Sequence, residues 1–159
     1  QAGRLFMVVG LSSLPCGLIW GWVSDILGRR AAMVMVYLIQ AMALALFPLW
    51  PTPAGFPVSA VLFGLSWSIP GIVAAASGDL LGSRLAPAAL GFVTLFFGLG
   101  QAVGPYVGGM MADRLGSFWP ALWLSASVAV LGAVGSAWLP LKAHRHEAGP
   151  SKIAGQTPG

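Results

Sequence analysis

The chain has 159 residues, of which 57% are hydrophobic and 8% charged, with a formal net charge of +4; soluble domains run at roughly 45–50% apolar and about 25% charged. That balance excludes an ordinary soluble domain. The basic residues sit at the ends of apolar stretches and form no run that tracks a phosphate backbone, which excludes nucleic acid as a partner. No charge occurs from Leu5 to Ser24, Ala31 to Gly78, Leu85 to Ala112 or Leu115 to Leu141. The pattern predicts an all-α integral membrane protein with five transmembrane helices in contact with the lipid bilayer.

Gln1 is preceded by neither an initiator methionine nor a basic leader region, so the expectation is an internal start within a longer polypeptide. Span one is expected over residues 5–24. Its Cys16 is the only cysteine, which rules out an internal disulfide and reads as a small packing residue. Gly17 and Gly21 form a small-xxx-small pair that lets a second helix backbone approach closely in lipid. The span ends in Gly21 to Arg30, GWVSDILGRR. There Asp25 leaves the hydrocarbon, Gly28 supplies the positive φ that stops a helix, and Arg29 and Arg30 meet the membrane surface. Paired arginines beside a span place this hinge on the cytoplasmic side.

Span two, 31–50, is apolar all round and reads as a helix with a large lipid-facing surface. Gln40 is its one strongly polar side chain, expected in an interhelical hydrogen bond rather than on a substrate. Pro48, Pro51, Pro53, Gly55 and Pro57 then break the chain into an uncharged loop.

Span three, 58–78, carries Ser59, Ser66, Pro70 and Ser77, which at 100° per residue fall within about 20° of one meridian. This small-polar stripe either lines a cavity or consists of serines bonded back to their own helix. Pro70 removes a donor within it and is expected to bend the helix or free the Ser66 carbonyl. Asp79 stands at the membrane edge, where a surface or capping role outweighs ion coupling.

Span four, 88–112, spaces Gly91, Gly100, Gly104, Pro105, Gly108 and Gly109 as G-x8-G-x3-GP-x2-GG. Gly100, Gly104 and Gly108 make a nearly continuous groove, and Pro105 kinks it. Thr94 and Gln101, seven apart, share the neighbouring face and are candidates to line a polar interior. Gly109, Asp113, Arg114 and Gly116 read as a capped turn. Span five, 118–141, has Pro120 in its first turn and tryptophans at both ends. Residues 143–159 are expected to be a disordered polar tail. His144 and His146 offer no closed ligand set there, so no metal and no other cofactor is predicted.

The hinge G-x-x-x-D-x-x-G-R-R resembles motif A of the major facilitator superfamily of secondary transporters. Gly21, Asp25, Gly28, Arg29 and Arg30 match, while Ile26 replaces a basic residue often found there. The glycine pattern of span four resembles motif C, described for the fifth helix of antiporters in the same superfamily. SWSIPGIVAAASGDLLG and LAPAALGFVTLFFGLGQAVGP resemble more narrowly the YbfB/YjiJ group of bacterial facilitators.

The resemblance implies a twelve-helix fold of two six-helix halves, in which these spans match helices eight to twelve. Span three lacks the arginine of motif B expected on the fourth helix of a first half. By the same resemblance the partner is a missing amino-terminal half, against one helix of which Asp25 would work. Span three lines a central cavity, spans one and four flank the contact between halves, and spans two and five face lipid. The function implied is alternating-access transport of a small solute, with ion coupling, by protons, as a tendency associated with motif C.

Six of the eight Lys and Arg residues (Arg29, Arg30, Arg84, Lys142, Arg145 and Lys152) fall on the hinge side, giving an outside amino end and a cytoplasmic tail. The membrane implied is the bacterial inner membrane. An intramembrane enzyme is disfavoured because every acid lies at a span end. The remaining alternative is a non-transporting scaffold or sensor that uses its glycine faces only for assembly. Nothing in the residues names the small-molecule substrate.

Overall fold

A computed structural model describes residues 2–139, which are helical throughout apart from short connections, with no strand among them. The helices are α1 (Ala2–Ser13), α2 (Cys16–Leu27), α3 (Arg29–Leu49), α4 (Gly55–Leu65), α5 (Ile69–Leu115) and α6 (Trp119–Ala137). Four stretches are each long and apolar enough to cross a membrane: Arg29–Leu49, Gly55–Gly82, Arg84–Leu115 and Trp119–Ala137. The bent pair of α1 and α2 supplies a fifth if it counts as one span. The tail from residue 140 onward, with its two histidines, lies outside the described residues.

Span one, expected over residues 5–24, is broken in the middle. Its halves meet at 41°, because Pro15 has no N–H to donate and its ring displaces the carbonyl four residues back. The Leu14 N–H instead reaches the Leu11 carbonyl at 3.3 Å, and α2 restarts with the Ile19 N–H on the Pro15 carbonyl at 3.0 Å.

Span three runs longer than expected and is loosened at Ser66–Ser68, where ψ rises to 1° and 4° at the two serines. The distortion falls just upstream of Pro70, whose missing donor would have bonded Ser66. Spans three and four are separated by a break at one residue, Gly82, at φ 71° and ψ 169°. Only glycine adopts that conformation without strain. At the far end of α5, Gly116 (φ 66°, ψ 13°) closes the helix in a left-handed cap.

Span two keeps the broad exposed surface expected of it but also packs at the centre of the described helices. α3 is the hub of the molecule, touching α2, α4, α5 and α6, with Ala32 and Val36 wholly buried and Met33, Ala41 and Ala43 nearly so. Met35, Leu38 and Met42 on its other face are exposed. A helix that packs on one side and meets lipid on the other is apolar all round, and hydropathy alone does not separate the sides. The main core joins Cys16 and Trp20 of α2, Ala32, Met33 and Val36 of α3, and Ile72 and Ala76 of α5.

Close approach between helices elsewhere rests on two glycines, while Gly55 makes room for the Trp50 carbonyl in the turn before α4. A Cβ added to Gly64 in α4 would lie 2.5 Å from the Val9 carbonyl oxygen and 2.8 Å from the Ser12 Cβ on α1. One added to Gly132 in α6 would lie 2.8 Å from the Tyr37 ring on α3. Glycine leaves room at both places for the neighbouring helix.

Candidate functional site: the hinge and two clefts

The hinge forms because Gly28, at φ 88°, stops α2 and lets α3 begin at the next residue. That reversal folds Arg29 back over the end of α2. Its guanidinium donates to the Asp25 carboxylate at 2.7 Å, to the Ser24 hydroxyl at 2.9 Å and to Asp79 of α5 at 3.2 Å. One cation thus ties three helices, and the planar fork of arginine suits the task better than a lysine ammonium. The Asp79 side chain is 32% exposed and that of Asp25 67%, so Asp25 retains open surface for a further contact. Asp79 pairs with Arg29, not with Arg84 nearby in sequence.

Beside the hinge, α2 and the first part of α5 border a cleft of about 350 Å3, lined by Gly17, Gly21, Ser24, Arg29, Trp67, Ser68 and Gly71 among others. The buried Trp20 also lines it. Its indole donates to the Leu65 carbonyl at 2.7 Å, next to the turn that Pro70 loosens. Gly17, Gly21 and Gly71 have nothing within 4 Å of an added Cβ. Both walls are therefore shaped for close approach and left bare. Ser68 is 8% exposed and its hydroxyl has no hydrogen-bond partner.

The other polar candidates take varied places. Ser59 is buried and donates to the Ala43 carbonyl of α3 at 2.6 Å. Ser66 and Ser77 are buried and donate to carbonyls of their own helical segments, Phe63 at 2.7 Å and Val73 at 2.8 Å. Pro70 is exposed in the first turn of α5. The three serines of the stripe thus face inward to the bundle and Pro70 does not, with Ser68 beside them lining the cleft.

Arg84–Leu115, which carries the glycine pattern, buries none of its apolar window. A Cβ added to Gly91, Gly100, Gly104 or Gly109 would meet nothing within 4 Å, and one added to Gly108 would meet only the Ala121 Cβ of α6 at 3.9 Å. Pro105 lies within this arm. Thr94 is exposed and donates to the Leu90 carbonyl at 2.7 Å. Gln101 lines a second cleft of about 620 Å3 between α3, this arm and α6, with Gln40 across from it on α3. The interhelical hydrogen bond expected of Gln40 is not formed: its Oε1 is buried without a partner. Such an orphaned acceptor costs about 1–3 kcal/mol.

Among the described residues no group of His, Cys, Asp or Glu is placed to hold a metal ion. Sequence reasoning passed over Pro15, Trp20, Gly64 and Gly132. Pro15 carries a plain helix-breaking signal, whereas Gly64 and Gly132 differ from the other glycines only in what packs against them.

Apolar helices of spanning length, tied at a charged hinge that joins α2, α3 and α5, make this an integral membrane protein. Over residues 1–136 the sequence matches the family described as "Uncharacterised MFS-type transporter YbfB", and the chain belongs to that family of major facilitator superfamily transporters. No curated protein and no solved structure matches the chain.

Proposed function

We propose that this chain is the carboxyl-terminal half, helices eight to twelve, of a secondary transporter that carries a small solute by alternating access. The observation that carries the reading is the contrast among glycines. Those of the hinge cleft and of Arg84–Leu115 are open to the surface, as expected if helices of an amino-terminal half pack there and separate again during a cycle. Arg29 with Asp25 and Asp79 is the latch of one state. The exposed Asp25 carboxylate adds a contact to the positive end of a helix from the other half.

Neither cleft is lined by a carboxylate. A proton-coupled cycle would therefore draw its coupling acid from the other half. The membrane is the bacterial inner membrane, with the amino end outside and the tail in the cytoplasm.

Two experiments test this reading. Seven further apolar spans encoded upstream of Gln1, with an arginine on the fourth, support the half assignment, and a start codon close to Gln1 overturns it. Purified chain in liposomes is expected to move no solute, with flux appearing when the amino-terminal half is supplied. Flux from the chain alone contradicts the proposal and a lack of flux from the joined halves favours a scaffold.

A further inference from the structure

Spans one and three are each broken in the middle, and the two breaks lie side by side. Ser12 near the end of α1 touches the site of Gly64 near the end of α4, where an added Cβ would lie 2.8 Å from the Ser12 Cβ. The first break follows at Leu14 and Pro15, the second at Ser66–Ser68. We propose that the paired breaks form a pivot, about which α1 and α4 tilt as one body against α2 and the first part of α5. The Trp20 indole is the latch of the state seen in the structure.

Bending a continuous helix breaks backbone bonds, whereas bending at an existing break does not. At the first break the Leu14 N–H reaches the Leu11 carbonyl, and the ladder restarts with the Ile19 N–H on the Pro15 carbonyl. At the second the Trp67 N–H reaches the Gly64 carbonyl, and the ladder restarts with the Gly71 and Ile72 N–H groups on the Ser68 carbonyl. Pro15 and Pro70 have no N–H with which to close either gap.

The packing divides along the same line. α1 packs mainly on α4, while α2 packs on α3 and α5. α3 is continuous from Arg29 to Leu49 and touches both bodies, so it is the fixed spine. The Ser59 hydroxyl on the Ala43 carbonyl keeps α4 on that spine, which makes the movement a tilt across α3 and not a detachment. The Trp20 Nε1 donates to the Leu65 carbonyl at 2.7 Å and so joins α2 to the end of α4 across the line of the breaks. A tilt of α4 away from α2 parts that bond. The pivot lies within this chain and does not rest on the transport reading.

The test measures distances between spin labels by pulsed double electron–electron resonance on the full chain in lipid nanodiscs, with Cys16→Ala to remove the native thiol. Labels are placed at exposed positions. Phe6→Cys with Leu27→Cys spans the first break, and Val58→Cys with Leu81→Cys spans the second. Each pair is expected to give two distances, in the same proportion for both pairs. Trp20→Phe removes the latch and is expected to raise the share of the second distance relative to the first about fivefold in both pairs, the increment of one hydrogen bond. Pro15→Ala restores a donor at the first break alone, yet is expected to narrow both pairs to one distance. Should Pro15→Ala fail to fold, the response to Trp20→Phe decides the matter. The proposal is overturned by a single distance in either pair of the unlatched chain, by a substitution that moves one pair and leaves the other unmoved, or by proportions that ignore Trp20→Phe. A lack of flux from the joined halves bears on the transport reading and leaves these distances as they are.

Discussion

Two regions of this chain use the same residue type in opposite ways. In the packed part, Gly64 of α4 lies against the α1 backbone and Gly132 of α6 against the Tyr37 ring of α3, so each glycine has a visible neighbour. In Arg84–Leu115, and on the α2 face of Gly17 and Gly21, glycines recur at helix-packing intervals and meet open space. Small residues in membrane helices allow backbones to approach. Where the neighbour lies within the chain, the glycine is a fold determinant. Where it does not, the glycine plays no part in the packing among the described residues, and on the proposed reading it serves a helix of the other half.

The sharpest way to break this comparison is to fill one glycine of each kind. Gly64→Leu drives a side chain into the Val9 carbonyl and is expected to cost about 3 kcal/mol or more, read as loss of the folded monomer in detergent denaturation. Gly100→Leu enters open space and is expected to change the stability of the isolated chain by less than about 0.5 kcal/mol. In the joined transporter the same change is expected to reduce solute flux. Equal costs in the isolated chain would erase the distinction.

Trp20→Phe sharpens the account of the packed part. It keeps most of the ring but removes the indole donor from the Leu65 carbonyl, with an expected loss of about 1–2 kcal/mol in the same denaturation. A smaller loss, about 1 kcal/mol, is expected for Ser59→Ala, which removes the bond that ties α4 to the Ala43 carbonyl. Ser66→Ala, whose bond stays within its own segment, is expected to cost less than Ser59→Ala.

Arg29 stands where the two regions meet, and the smallest stability effect belongs there. Its ion pairs with Asp25 and Asp79 are partly exposed, so Arg29→Ala is expected to cost about 1 kcal/mol or less, shrinking further as salt is raised. Its effect on flux in the joined transporter is expected to be far larger than its effect on melting, because it unties three helices at once. Arg29→Lys is expected to restore part of the flux, since an ammonium reaches one carboxylate but lacks the fork that reaches both.

The sequence made several of these features legible. Uncharged runs of spanning length announced the helices, and Gly28 in its charged setting announced the reversal that the positive φ delivers. Pro70 pointed to a distortion, which falls in the turn before it at Ser66–Ser68. What escaped had no local signature. The central position of α3 is invisible in a helix apolar on every side. The Arg29–Asp79 pair joins residues 50 apart, and only the packing of α2, α3 and α5 brings them together. The three serines of the predicted stripe point into the bundle, whereas Pro70, expected on the same meridian, is exposed beyond the break at Ser66–Ser68, and Ser68 is left at the cleft.

The most direct test of the central claim, that the cleft beside the hinge opens and closes as two halves rock, is the reactivity of a cysteine there. With Cys16, the only native thiol and a lining residue of the same cleft, replaced by alanine, Ser68→Cys is exposed in membranes of the joined transporter to a membrane-impermeant thiosulfonate applied from either side. Alternating access predicts that the label enters from one side at a time, with the favoured side shifting when transported solute is added. A cysteine equally reactive under all conditions, or sealed from both sides throughout, would contradict it.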